Sequence, residues 1–277
     1  MGLSLQIGDV EVVAIQDREH HFSREWHFPG VPEEAWEPYR DLISGPDGYV
    51  MLNFACFLIR EEGRTLLIDT GWGPEMGPPG AAATPARLLE ELTVHGVGVS
   101  DIDTVAFTHL HPDHVGWNLV TEGESIRARF DRARYLVPRS DWEHYSSLDE
   151  MHPNIRQQAL PLSNLGVMDL FEGETTLSPS VTSLPTPGHT PGHTSFVVMS
   201  GSEKLFILGD LAHHPVIINE PDWVQRFDQN PEQNSLTRQR IFSQLEQDQT
   251  LVAAGHFQYP GVGRFARVDG RRVWKPL

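Results

Sequence analysis

A single cysteine, Cys56, occurs in 277 residues, so no intrachain disulfide can form. It lies in the apolar run Asn53-Phe54-Ala55-Cys56-Phe57-Leu58-Ile59, where a buried, chemically idle thiol is expected. Any metal must then be held by nitrogen and oxygen, which disfavours iron–sulfur clusters and thiolate zinc sites. Basic residues are also scarce: 21 Lys and Arg face 38 Asp and Glu, a formal charge of −17. That balance repels nucleic-acid backbones, and no basic run or basic–aromatic interleaving offsets it. Apolar runs stay far short of a membrane span. The start, Met1-Gly2-Leu3-Ser4-Leu5-Gln6, lacks the basic residues and apolar stretch of a signal peptide. The expectation is a cytoplasmic chain with neither nucleic acid nor membrane as partner. No Gly-x-Ser-x-Gly elbow is found, which argues against a serine nucleophile.

What the chain has is histidine in an unusual arrangement. His109, His111, Asp113 and His114 fall in the run Thr108-His109-Leu110-His111-Pro112-Asp113-His114. In an extended segment, side chains at i and i+2 point the same way, so His109 and His111 can grip one ion. Asp113 and His114 follow Pro112, which bends the path, and as neighbours they diverge from that pair. One ion could hardly use all four at good geometry. The run reads as half of a site for two metals.

The surrounding pattern is that of alternating strands and helices. Residues 5–15 alternate loosely as an opening strand. Residues 18–50, rich in Pro, Trp and His, are expected to form a long loop insertion near the site, with a short helix around Pro32–Trp36. A hairpin follows: a strand over 53–60, a turn at Glu61-Glu62-Gly63 and a strand over 64–69. A Gly/Pro/Ala-rich loop covers 73–83, and Thr84 is expected to cap a helix through Leu88, Leu89 and Leu92. The strand over 104–107 delivers the ligand run. Further strands are expected over 134–137, 181–184, 195–199, 205–208 and 251–254, with mixed helical patches over 140–172. Asn234 or Ser235 is expected to open a helix through Leu236, Ile241, Phe242 and Leu245, and a short C-terminal pair of strands to follow. Strands of both halves carry the motifs, so residues 1–277 are expected to form a single domain.

Three later motifs extend the ligand run. Thr186-Pro187-Gly188-His189-Thr190-Pro191-Gly192-His193-Thr194 sets two histidines in a turn framed by glycine and proline. Leu205-Phe206-Ile207-Leu208-Gly209-Asp210 ends an apolar strand in a carboxylate that can present both oxygens to a pair of ions. Ala253-Ala254-Gly255-His256-Phe257 ends another strand in Gly-His.

Together these motifs resemble the metallo-β-lactamase superfamily, whose signature is His-x-His-x-Asp-His with a later His, an Asp and a final His. The resemblance runs from the hairpin near residue 53 to His256. It implies an α/β fold, the αββα four-layer sandwich, with metals at one edge of two packed sheets. It implies that His109, His111 and His189 hold a first metal, that Asp113, His114 and His256 hold a second, and that Asp210 bridges them. His193 and Asp69 are expected to support ligands without binding metal; Asp69 would orient an imidazole through its distal N–H. His20, His21, His27, His95, His144 and His152 are expected to be solvated or packed in loops.

Five imidazoles and two carboxylates suit two zinc ions per chain, with iron, cobalt or manganese as alternatives. Two such cations lower the pKa of a shared water and supply a bridging hydroxide as nucleophile. Asp113 and Asp210 are the catalytic carboxylates in this reading, Asp210 recycling the proton, and His213 is the candidate donor to the leaving group. The segment Asp210-x-x-His213, with Gly255-His256-Phe257-Gln258-Tyr259-Pro260-Gly261-Val262-Gly263 downstream, resembles the branch of methyl parathion hydrolase and related quorum-quenching lactonases. Many acyl-homoserine lactonases have tyrosine where this chain has His213. The expected activity is hydrolysis of a lactone or other small-molecule ester, including acyl-homoserine lactones, aryl esters and promiscuous phosphotriesters. The alternatives are a β-lactamase, a glyoxalase II-like thioesterase and a mono-iron persulfide dioxygenase. Trp26, Phe28, Trp36, Tyr39, Trp72 and Trp117 are expected either to wall an apolar pocket or to serve as core or dimer contacts. A homodimer is an expectation of the family resemblance alone.

Overall fold

A computed structural model describes residues 3–44, 48–74 and 85–277. The first sheet is built from β1 (Ser4–Ile7), β2 (Val10–Ser23), β3 (Tyr49–Glu61), β4 (Arg64–Ile68) and β5 (Thr104–Ala106). A separate hairpin, β6 (Leu119–Glu122) and β7 (Ser125–Ala128), precedes its last strands, β8 (Arg134–Pro138) and β9 (Met168–Phe171). The second sheet runs in sequence order: β10 (Thr176–Ser178), β11 (Val181–Pro185), β12 (Thr194–Ser200), β13 (Glu203–Ile207), β14 (Leu251–Ala253), β15 (Val262–Val268) and β16 (Arg271–Pro276). Both sheets are mixed. β4, β5, β8 and β9 pair in parallel, as do β13 and β14, and the other pairs are antiparallel.

The helices are α1 (Arg24–His27), α2 (Leu88–Val94), α3 (Arg139–Ser146), α4 (Pro153–Gln158), α5 (Pro161–Asn164), α6 (Val216–Asn219) and α7 (Pro231–Gln247). Strand alternation sorts the core into layers. Leu58 faces outward onto Leu88 and Leu92 of α2, Tyr145 of α3, Ile155 of α4 and Leu162 of α5, all in one apolar cluster. Its neighbours Phe57 and Ile59 face inward and join Phe196, Val198, Leu205 and Ile207 of the second sheet. Phe206 and Val252 turn the other way, onto Ile241, Phe242 and Leu245 of α7 and Val216–Ile218 of α6. The result is helix, sheet, sheet, helix. No helix among the described residues is long and apolar enough to cross a membrane.

The expected loop over 18–50 is corrected at both ends. β2 continues to Ser23 and pairs along its length with β3, which already begins at Tyr49. Arg18, Glu19, His20 and His21 conceal this extension because they break the apolar alternation. The register also shifts: Gln16 faces Ala55 and Arg18 faces Phe54, leaving Asp17 as the extra residue of a bulge. The bulge turns the Asp17 carboxylate into the protein. It accepts from Trp72 N–H at 2.9 Å, Gly73 N–H at 3.1 Å and Trp117 Nε1–H at 2.8 Å. It also accepts from Arg87 and Leu88 N–H, at 3.1 and 3.2 Å, and so caps α2 from a distant strand. Thr84, expected as that cap, lies outside the described residues. Between β2 and β3 come α1 and a stretch of 3₁₀ turns over Glu33–Leu42, kinked at Tyr39. The helix expected to open at Asn234 or Ser235 starts earlier, at Pro231, where Asn230 Oδ1 accepts Gln233 N–H at 3.0 Å.

Candidate metal centre

Each donor loop begins where a strand ends, on the same edge of the two sheets. β5 leads through Phe107 and Thr108 to His109, while β11, β13 and β14 lead to His189, Asp210 and His256. Gly209 has a positive φ of 60°, and a Cβ there would sit 2.6 Å from His193 Nε2. Only glycine fits, and the tight turn lets Asp210 N–H donate to His193 Nε2 at 2.8 Å. His193 thus holds the Asp210 backbone and lies outside the donor groups.

Seven side chains converge in two groups that share Asp210. His109, His111, His189 and Asp210 form one; Asp113, His114, His256 and Asp210 form the other, with donor atoms within 4.8 Å of one another in each. Asp210 Oδ2 lies 3.5 Å from His109 Nε2 and 3.3 Å from His189 Nε2. Its Oδ1 lies 3.3 Å from His114 Nε2 and 3.1 Å from His256 Nε2. Asp210 thus stands between the two groups, with His256 Nε2 also 3.2 Å from Oδ2. His189 Nε2 and His111 Nδ1 approach to 2.9 Å, and Asp113 Oδ2 lies 3.5 Å from His256 Nε2.

The far side of each imidazole explains why these nitrogens face inward. His114 Nδ1–H donates to Asp69 Oδ2 at 2.8 Å. Thr108 Oγ1 donates to the same Asp69 oxygen at 2.8 Å and accepts from His109 Nδ1 at 3.0 Å. His189 Nδ1–H donates to Asp228 Oδ1 at 2.9 Å, and His256 Nδ1–H to the Asn53 carbonyl at 2.8 Å. With Nδ1–H engaged in each, Nε2 is the nitrogen that points to the centre. Asp69 holds a positive φ of 61° to do this, a strained conformation fixed by its N–H donating to Ala106 O at 2.9 Å.

The donor set fits divalent cations. His109 Nε2, His114 Nε2 and Asp210 Oδ1 are buried without a hydrogen-bond partner among the described residues, a costly state for polar atoms that a cation would relieve. Burial, reinforced by neighbouring imidazoles, holds His109 and His111 well below the usual histidine range and leaves their lone pairs free. Burial also pushes His189 down, but Asp210 and Asp228 outweigh it and hold its pKa at about 9. A cation held there would take the place of that proton, so loading would release protons.

Asp141, buried on α3, joins the ligand loops of the two sheets. Its Oδ2 accepts Leu110 N–H at 2.9 Å and Thr190 Oγ1–H at 3.0 Å, and its Oδ1 accepts Gly192 N–H at 2.6 Å. Above the donors lies a cavity of about 340 Å³, floored by His111, Asp113, Asp210, His213 and His256. Phe22, Trp26, Leu52, Phe54, Trp72 and Phe227 are among its walls, and no Lys or Arg is among the described residues that line it.

Residues 55–256 match the profile of the Metallo-beta-lactamase superfamily. The chain belongs to that superfamily. Among curated relatives, the N-acyl homoserine lactonase AttM of Agrobacterium fabrum is 29% identical over 137 residues, 45% of this chain and 47% of that protein. A probable metallo-hydrolase of Mycobacterium tuberculosis is 28% identical over 188 residues, 57% of this chain and 56% of that protein. The chain thus spans about half the length of these curated relatives. Among solved structures, AidC, a dizinc quorum-quenching lactonase in complex with a product, superposes with a TM-score of 0.85 at 21% identity, covering 100% of this chain and 97% of AidC. AbOPH, described as a hydrolase in the beta lactamase superfamily, superposes with a TM-score of 0.84 at 24% identity, covering 100% of this chain and 97% of its own. These likenesses establish the metallo-β-lactamase fold.

The six aromatics divide between the roles of pocket wall and core contact, both of which were open: Trp26 and Trp72 line the cavity. Phe28, Trp36 and Tyr39 instead pack on Trp223, and Trp117 is buried beneath Arg129. His27, expected to be solvated or loop-packed, has no exposed surface and stands in the cavity wall against His213. Asp228, Arg238, Gln225 and Asp141 carried no motif that sequence reasoning could find. Asp228 accepts from buried Arg238 Nη2 at 2.8 Å as well as from His189. Cys56 is buried, and burial raises its thiol well above the usual range, as an idle thiol requires.

Proposed function

We propose that this protein is a dinuclear metal-dependent hydrolase of lactones and other neutral esters, acyl-homoserine lactones among them. One observation carries the reading: the apolar cavity of about 340 Å³ opens onto both donor groups at Asp210. His109, His111 and His189 would hold one ion, Asp113, His114 and His256 the other, and Asp210 both. Zinc is the first choice for five imidazoles and two carboxylates, with iron, cobalt or manganese able to substitute. Bound there, the ions would supply Lewis acidity and activation of water at neutral pH.

The protein's own groups then divide the remaining work. The aromatic walls take the apolar part of the substrate and keep bulk water from the floor. With no Lys or Arg among the described lining residues, the walls offer no counter-charge beyond the ions themselves to a phosphate monoester or an anionic thioester, whereas a neutral lactone, ester or phosphotriester needs none. His213 faces the cavity with Nε2 2.9 Å from Asp210 Oδ2, within reach to pass a proton between that carboxylate and a leaving oxygen.

The test is a panel of lactones, aryl esters, phosphotriesters and β-lactams offered to zinc-, cobalt- and manganese-loaded protein. Turnover of lactones or esters, lost in His109→Ala and Asp210→Ala, is the expected result. Turnover of β-lactams with every ester inert would overturn it.

A further inference from the structure

His27 lies outside both donor groups, at the end of α1, with no exposed surface. Its ring packs against Phe28 at 4.8 Å, Phe22 at 5.7 Å and Phe227 at 6.3 Å between centroids. In this apolar nest, His27 Nε2 lies 3.1 Å from His213 Nδ1, while His27 Nδ1 is buried without a hydrogen-bond partner among the described residues.

The direction of these bonds follows from one fixed point. A carboxylate only accepts, so the 2.9 Å contact between His213 Nε2 and Asp210 Oδ2 places a proton on His213 Nε2. Neutral His213 then has a bare Nδ1, which must accept, and the donor facing it is His27 Nε2–H. The reverse direction would need a doubly protonated His213 in contact with a ring closed off from water, which burial opposes. One loop fixes both backbones: Arg226 N–H donates to the His27 carbonyl at 2.9 Å, and Gln225 Oε1 accepts His213 N–H at 2.6 Å.

We propose that His27 is a positioning residue whose Nε2–H donates to His213 Nδ1, holding His213 as the Nε2–H tautomer with that proton aimed at Asp210 and the cavity floor. Without this donor, His213 is free to carry its proton on Nδ1, and its cavity-facing nitrogen becomes an acceptor. The tautomer stands on geometry alone; its kinetic consequence rests on the hydrolase reading.

The experiment is long-range proton–nitrogen NMR of zinc-loaded, histidine-labelled protein, comparing the wild type with His27→Gln and His27→Phe. Glutamine retains an N–H donor near the former Nε2, and phenylalanine fills the aromatic nest without one. The wild type and His27→Gln should show His213 protonated at Nε2 and bare at Nδ1. His27→Phe should show the two tautomers mixed. It should also lose about tenfold or more in kcat on an alkyl lactone with KM changed by less than about twofold, while His27→Gln recovers most of the loss. A wild-type His213 protonated at Nδ1, or a His213 signal unmoved in His27→Phe, overturns the proposal. A protein inert to every ester would end the hydrolase reading, and the spectra would still decide the tautomer.

Discussion

The Nδ1–H of His189 donates to Asp228 at 2.9 Å, although the two residues lie 39 positions apart. The carboxylate fixes the ring so that Nε2 faces the first donor group. Asp228→Asn removes the charge while keeping the shape. Metal affinity should fall about 10–100-fold, measured by competition with a chromogenic chelator. Unchanged affinity would show that the ring is oriented by something else.

Arg238 and Asp228 form an ion pair from which water is excluded, at 1% and 0% exposure. Arg238→Met should therefore cost about 3–5 kcal/mol in urea unfolding, because an uncompensated buried charge remains. A loss below about 1 kcal/mol, the value of an exposed pair, would contradict this account.

Metal content and stability should move together. Elemental analysis of protein purified without chelator should return about two ions per chain. Stripping them should lower the Tm, and the Tm should climb again with added zinc, since an ion that binds only the folded state stabilises it by mass action. A reproducible single iron per chain would favour a redox enzyme instead.

His213→Phe should separate substrates by leaving group. Alkyl lactones, whose departing alkoxide needs a proton, should lose about a hundredfold in kcat/KM. Nitrophenyl esters, whose phenolate leaves unaided, should change far less. Equal losses across the series would remove His213 as a proton donor.

Trp26 lies in the cavity wall with the Arg226 guanidinium over its ring, 4.8 Å from the centroid. Trp26→Ala should raise KM for long-chain acyl substrates by about tenfold, worth 1–2 kcal/mol of buried aromatic surface, and leave short-chain substrates nearly unaffected. A chain-length-independent effect would place the apolar part of the substrate elsewhere.

The layered architecture was legible through the family resemblance that the ligand motifs carry, and strand alternation located most of the strands. Leu205–Asp210 could be read as a strand delivering a carboxylate, and His109 and His111 as a pair pointing one way. The supports of the site were harder to see. Asp17 leaves the β2 ladder by a bulge, and nothing in its neighbours Gln16 and Arg18 announces that it caps a helix far along the chain. Asp228 and Asp141 act through hydrogen bonds to residues tens of positions away, which no local period encodes. The surroundings of His27 were hidden for a similar reason: a histidine between Trp26 and Phe28 looks like a loop residue, and only tertiary packing sets it against His213.

Asp141 makes the donor loops of the two sheets a single body. Leu110 lies in one loop and Thr190 and Gly192 in the other, and all three are tied to the same carboxylate. Two free segments closing around an ion would each surrender chain entropy at the moment of capture. Here that loss is incurred when the protein folds. An arriving cation meets a vessel of fixed dimensions, and selection among ions then falls to size and coordination preference more than to the pliancy of the chain.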